Sequence, residues 1–195
     1  KRNFILNIPN FFKYRVIFSF MIKFFNKLIF NFSKNKKYAY KNIQDFFYPL
    51  DKIDNWNRLY GREGFMQYQF AIPDEKSYFI FFILDYLRIR KKISYLAVLK
   101  RFGKSNNAFL SFPKRGWTLA LDIPNHNLRD GEIFKYLDEE LLKIGGRLYM
   151  AKDNKDLSIN LLSKTYPDFK KWQRVTKRMD PRSIFSSDLY QKSII

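Results

Sequence analysis

Gln67 and Gln69 flank Tyr68, and on an extended strand that spacing turns both amides to one face. Lys100 and Phe102 repeat the alternation near the end of a second β-prone stretch, and Tyr149 and Lys152 end a fourth. Amides both donate and accept, a phenol does the same, and ammonium groups only donate. Gathered on one sheet face, this set suits a hydroxyl-rich, anionic ligand. The alternative is that glutamines and lysines simply line a wet sheet face.

Several other chemistries are excluded or lack support. The chain has no cysteine, so it has no thiol nucleophile, disulfide or Cys-ligated zinc. Its single histidine, His126, falls in a loop between Asn125 and Asn127, which rules out a multi-histidine metal site and suggests no Ser/His/Asp triad. Gly61, Gly64, Gly103 and Gly116 form neither a dinucleotide fingerprint nor a P-loop, and Gly145-Gly146 follows a helix instead of opening one. Glu139 and Glu140 read as a solvated helix face. Nothing here makes a stand-alone active site.

Periodicity supplies the elements that would position the polar set. Residues 67–72 read as a strand ending at Pro73, followed by a helix over 74–90 with Ile80, Ile83, Leu84 and Leu87 on one side. A second strand spans 94–102, a polar, Gly/Pro-marked connection 106–116, and a third strand 117–123. A second helix covers 130–143, with Ile133, Phe134, Leu137 and Leu141 inward, and Gly145-Gly146 stops it. The fourth strand is expected over 147–150. The order β-α-β-β-α-β predicts an α+β fold: an antiparallel sheet of split βαβ type with both helices on one face. Such a fold alone assigns no function.

The expected domain organisation is a basic segment over 1–44, a sheet domain over 45–152 and a helical tail over 153–195. The first segment holds ten Lys or Arg and no acidic residue. In it Phe18, Met21, Ile22, Phe25, Leu28, Ile29 and Phe32 recur at helical spacing, off the line of Lys23, Lys27 and Lys34. The stripe is expected to pack on its own domain, with contact to an anionic lipid surface as the alternative. No uninterrupted apolar span reaches membrane-crossing length. The tail carries Lys170, Lys171, Arg174, Lys177 and Arg178, read as a solvated helix face. A formal net charge of +19 favours anionic partners, or reflects a lysine-rich composition without function. The chain begins at Lys1 and is expected to be a piece of a longer protein.

Certain runs are more specific. FFYPLDKIDNWNRLYGREGFMQYQFAIP at 46–73, VLKRFG at 98–103, LSFPKRGWTLALDIP at 110–124 and GGRLYMAKD at 145–153 occur in order, with TYP at 165–167 and MDPRSIFSSDL at 179–189 after them. Over residues 9–190 the chain resembles the C-terminal half of the decaprenylphosphoryl-β-D-ribose oxidases, within the FAD-linked oxidase family of vanillyl-alcohol and sugar-lactone type. The resemblance implies an FAD-dependent oxidoreductase. Its cofactor would be bound mainly by a separate N-terminal domain missing from this chain, and its C-terminal sheet would cover the flavin and shape the substrate pocket. It implies oxidation of a sugar hydroxyl on a lipid-linked sugar phosphate, polyprenyl-phosphoryl ribose, to the keto sugar. A sugar-lactone (aldonolactone) oxidase of the same family is the alternative. An NAD(P)H-dependent reductase partner is implied, and a location in the bacterial cytoplasm or peripheral on the inner face of the cell membrane. This piece alone would be inactive.

Carried over by position, the resemblance makes Lys152 the catalytic cation, at the flavin edge and the substrate, where a fixed charge stabilises reduced flavin. It sets Tyr149 and Ala151 beside the cofactor with Lys152. Gln67, Gln69, Lys100, Phe102 and Tyr149 become sugar or phosphate contacts, with Arg58 either a further contact or structural. No metal is implied. Two positions depart from the pattern: Ala120 stands where some relatives carry Cys, and Thr118 where relatives can carry Asn. A competing class is a basic nucleic-acid module, but GFMQYQF at 64–70 lacks the aromatic and basic positions such sheets use, so no specific nucleic acid is expected.

Overall fold

The computed structural model describes residues 6–9, 18–33, 38, 40, 42–48, 53–125, 131–153 and 158–194. The chain divides into two compact units, Lys1–Phe65 with Pro124–His126, and Met66–Ile123 with Asn127–Ile195.

The first unit contains β1 (Leu6–Asn7), α1 (Ser19–Ser33), α2 (Ile43–Phe47) and β2 (Ile53–Asp54). β1 and β2 pair in parallel, and the Asn55 amide reaches across to Asn7 at 2.9 Å. A 3-10 turn over Trp56–Tyr60 follows, and Trp56 and Tyr60 pack on Phe65, the closest ring centroids 4.4 Å apart. The helix expected in the basic segment is present as α1, but it does not pack as expected. Phe18, Met21, Phe25, Leu28, Ile29 and Phe32 of the stripe are all exposed. So are Phe20, Phe24 and Phe30, which lie off the stripe and make the helix apolar on several sides.

The sheet domain is built from β3 (Phe65–Pro73), α3 (Tyr78–Ile89), β4 (Leu96–Phe102), β5 (Gly116–Pro124), α4 (Gly131–Lys143) and β6 (Arg147–Leu148). The strand order is β4-β5-β3-β6, and β4–β5 and β3–β6 are antiparallel. This is the split βαβ arrangement that the periodicity predicts. Alternation decides the faces. Tyr68, Phe70 and Ile72 of β3 and Leu119, Leu121 and Ile123 of β5 are buried against Phe79, Ile83 and Leu87 of α3 and Phe134, Leu137 and Leu141 of α4. Each of these side chains contributes about 1.5–3 kcal/mol by leaving water.

Two glycines are required by geometry. Gly145 ends α4 at φ 71°, and the Gly146 N–H returns to the Leu141 carbonyl at 2.8 Å. Gly116 has φ 142°, and a Cβ there would lie 2.0 Å from the Ile72 carbonyl oxygen, so β5 can start beside the end of β3 only without a side chain.

The element boundaries differ from expectation in two places. A 3-10 turn over Asp74–Lys76 precedes α3 after Pro73, so the helix proper starts at Tyr78. The fourth strand stops at Leu148 instead of reaching 150, because the Lys152 N–H bonds the Tyr149 carbonyl at 3.2 Å and turns the chain away. The tail forms α5 (Ile159–Thr165), α6 (Phe169–Met179) and α7 (Asp188–Ile194). Leu162, Tyr166 and Phe169 make a small second core, and the Tyr166 hydroxyl donates to the Leu148 carbonyl at 2.6 Å.

Candidate functional site

The residues of β3 and β5 that alternate with the core residues form the second sheet face. Gln67 and Gln69 come from β3, and Thr118, Ala120 and Asp122 from β5. In the β4–β5 register Lys100 pairs with Thr118 and Phe102 with Gly116, which puts Lys100 and Phe102 on this same face. The Tyr149 N–H bonds the Gln69 carbonyl at 3.0 Å, which brings Tyr149 alongside Gln69.

Two glutamine amides organise the face. Gln69 Nε2 donates to Thr118 Oγ1 at 3.2 Å, and that hydroxyl donates to the Phe70 carbonyl at 2.8 Å. Gln67 Nε2 donates to Asp122 Oδ1 at 2.8 Å, while Gln67 Oε1 accepts from Lys152 Nζ at 2.7 Å. The Gln67 backbone N–H is held by Asp153 Oδ2 at 3.0 Å. Lys152 is thus delivered to the sheet face by the turn that ends β6. Asp122 is buried, and its Oδ2 has no hydrogen-bond partner among the described residues. Burial raises its pKa, against the lowering effects of the Gln67 hydrogen bond and the Lys152 charge.

One edge of the face is aromatic. Phe112 stacks on Tyr149 at 4.3 Å between centroids and meets Phe102 edge-on at 5.6 Å. The connection bearing Phe112 is fastened by Arg147, whose guanidinium donates to the Ser111 carbonyl and lies 5.4 Å from the Tyr166 ring.

The structure therefore gathers Gln67, Gln69, Phe102, Tyr149 and Lys152 in a half-buried setting with mutual contacts, which a wet sheet face would not require. Lys100 shares the face but is exposed, as is Ala151 in the turn before Lys152. Arg58 belongs to the first unit, where its guanidinium donates to the Ile8 carbonyl at 2.8 Å. It also borders a cavity of about 380 Å³ with Asn57 and Arg62. His126 lies outside the described residues. Sequence reasoning did not single out Asp122 or Phe112 as part of this cluster. Alternation along 117–123 carried the signal for Asp122, since it puts that residue in phase with Thr118 and Ala120.

A protein-family model described as D-arabinono-1,4-lactone oxidase matches residues 8–193. The chain is 35% identical over 191 residues to the decaprenylphosphoryl-β-D-ribose oxidase of Mycolicibacterium smegmatis, an alignment covering 96% of this chain and 40% of that protein. An uncharacterized protein of Streptomyces coelicolor is 37% identical over 95 residues, covering 49% of this chain and 26% of the relative. The chain thus spans less than half the length of either relative. With the match running through every element of the sheet domain, the chain belongs to the D-arabinono-1,4-lactone oxidase family.

Proposed function

We propose that this chain is the substrate-side part of an FAD-dependent oxidoreductase that oxidises a sugar hydroxyl to the ketone, with a lipid-linked sugar phosphate of polyprenyl-phosphoryl ribose type as substrate. The observation that carries the reading is the Lys152–Gln67 contact at 2.7 Å, beside Gln69 on one sheet face. The similarity to a decaprenylphosphoryl-β-D-ribose oxidase over 96% of the chain supports it. The donor set fits the edge of a flavin: the Lys152 cation is held by the Gln67 amide, whose own N–H is held by the buried Asp122 carboxylate, beside the Gln69 amide. When bound, FAD supplies the acceptor for the hydride that leaves the sugar carbon. Lys152 holds positive charge where negative charge develops. Gln67 and Gln69 orient sugar hydroxyls, and the Phe102–Phe112–Tyr149 edge excludes water from one side. Most of the FAD contacts come from sequence outside this chain, and a separate NAD(P)H-dependent reductase consumes the keto sugar.

The test uses the longer protein to which this chain belongs. The oxidised flavin band is recorded, and a polyprenyl-phosphoryl ribose is added without oxygen. Bleaching of the band is expected. Bleaching by an aldonolactone but not by the ribose lipid would replace the substrate with the lactone that the family description names. A protein with no flavin would overturn the reading.

The exposed apolar side chains of α1 favour an added role, contact with an anionic membrane surface at which a lipid-linked substrate would be met. The surrounding segment, 1–44, is basic and has no acidic residue, which complements an anionic surface. Among the described residues no helix is long and apolar enough to cross a membrane. The longer protein should co-sediment with vesicles containing anionic lipid, and Phe24→Asp with Phe30→Asp should release it. Equal sedimentation of the variant, or none by the parent, would remove this role from α1.

A further inference from the structure

Asp122 is a carboxylate on the site face to which the proposed reaction assigns no task. It is 2% exposed, one oxygen accepts from Gln67 Nε2 at 2.8 Å, and the other oxygen has no partner among the described residues. A buried carboxylate with an unspent oxygen is a poor structural choice, because desolvating it is only partly compensated. What it does accomplish is directional. A glutamine amide can turn over and exchange its oxygen and nitrogen. An ionised carboxylate only accepts, so it holds the Nε2 end of Gln67 and leaves Oε1 facing Lys152 Nζ at 2.7 Å. Turned over, the amide would set its N–H groups against the ammonium. Asp153 fixes the same residue from behind through the Gln67 backbone N–H at 3.0 Å. The carboxylate, amide and ammonium thus form one aligned chain of hydrogen bonds across β5, β3 and the turn after β6, in which each bond polarises the next.

We propose that Asp122 is a positioning residue that acts through the Gln67 amide to hold the Lys152 ammonium in place on the site face. This rests on the reading of Lys152 as the cation at the reacting centre. Asp122 itself is too buried to touch substrate. Its effect is on the barrier, since a displaced charge stabilises the transition state less well while leaving the sugar contacts of Gln69 in place.

The test is a double-mutant cycle on the longer, flavin-loaded protein, read as the single-turnover rate of flavin reduction by a polyprenyl-phosphoryl ribose. Asp122→Leu should slow reduction by about tenfold to a hundredfold with little change in the substrate concentration for half-saturation. In a Gln67→Met background the same substitution should cause no further loss. Asp122→Asn, matched to the carboxylate in size, runs the same cycle if the leucine variant does not fold. An unchanged rate in a folded Asp122 variant, or a loss of equal size with and without Gln67, would overturn the proposal. Lys152→Met separates this from the underlying reading. If it slows reduction while the Asp122 variants do not, only the relay is lost. If it has no effect, the reading of the site fails with it.

Discussion

The Tyr68 hydroxyl donates to the Asp138 carboxylate at 2.7 Å inside the core, directly behind the strand face that carries Gln67 and Gln69. The bond ties α4 to β3, so the helix layer and the site strand are registered by a polar contact as well as by apolar packing. Tyr68→Phe removes the donor and should cost about 1–3 kcal/mol of stability. A thermal melt of the variant reads this, and an unchanged midpoint would show that Asp138 is satisfied without Tyr68.

Buried tyrosines also set the alkaline limit of the fold. Burial pushes Tyr166 up to about 12, from an ordinary 10.0, and raises Tyr68 in the same direction. A pKa raised in the folded state favours the protonated form there, so this stability is complete below pH 10 and is lost as the pH climbs from about 10 to 12. For Tyr166 the loss is about 3 kcal/mol. Denaturation midpoints measured across that window should fall, and Tyr166→Phe should flatten the fall.

Asp122 has a consequence of the same sign in a lower pH window. Its pKa is raised, chiefly by burial, with Lys152 lowering it and Asp153 raising it. Ionising Asp122 therefore costs more in the folded chain than in the unfolded one, and stability is lost as pH rises through the folded pKa. Asp122→Asn should melt higher than the parent at pH 7, and the gap should shrink toward pH 4. A variant that melts lower at pH 7 would mean the ionised carboxylate is better satisfied than its orphan oxygen suggests. A gain in stability joined to slower flavin reduction would mark a residue kept for its work and not for the fold.

Gly116→Ala should be among the most damaging small substitutions in the sheet domain. It forces a non-glycine residue to φ 142° and drives Cβ into the Ile72 carbonyl. The cost should be about 3 kcal/mol or more, from strain and clash together. Chemical denaturation measures it, and a loss below about 1 kcal/mol would show that the start of β5 can move away from β3.

The strand and helix order was legible because apolar periodicity in 67–143 changes cleanly between two and about 3.6 residues. Alternation, a local property, put Gln67 with Gln69 on one side of their strand and Lys100 with Phe102 on one side of theirs; that the two pairs share a face depends on β3 and β4 both lying against β5. The rest depends on partners distant in sequence. Asp122 sits in an apolar strand, and its meaning appears only when β3 lies beside β5 and the amide of Gln67 reaches it. Phe112 lies in a Gly/Pro-marked connection that reads as solvent-exposed, yet Arg147 draws that connection inward and Phe112 is buried against Tyr149. The short β6 was hidden because 147–150 is β-prone throughout, and the turn that ends it is set by a backbone bond from Lys152. For α1 a helical stripe alone predicts a packed face, and the additional phenylalanines off the stripe carry the contrary signal.

The central claim is that Lys152 supplies the charge at the reacting centre, and the most direct test is its removal. In the longer, flavin-loaded protein, Lys152→Met should keep the bound flavin spectrum and the melting midpoint but slow anaerobic flavin reduction by the sugar substrate about a hundredfold or more. Reduction at the parental rate by a folded, flavin-loaded variant would contradict the account.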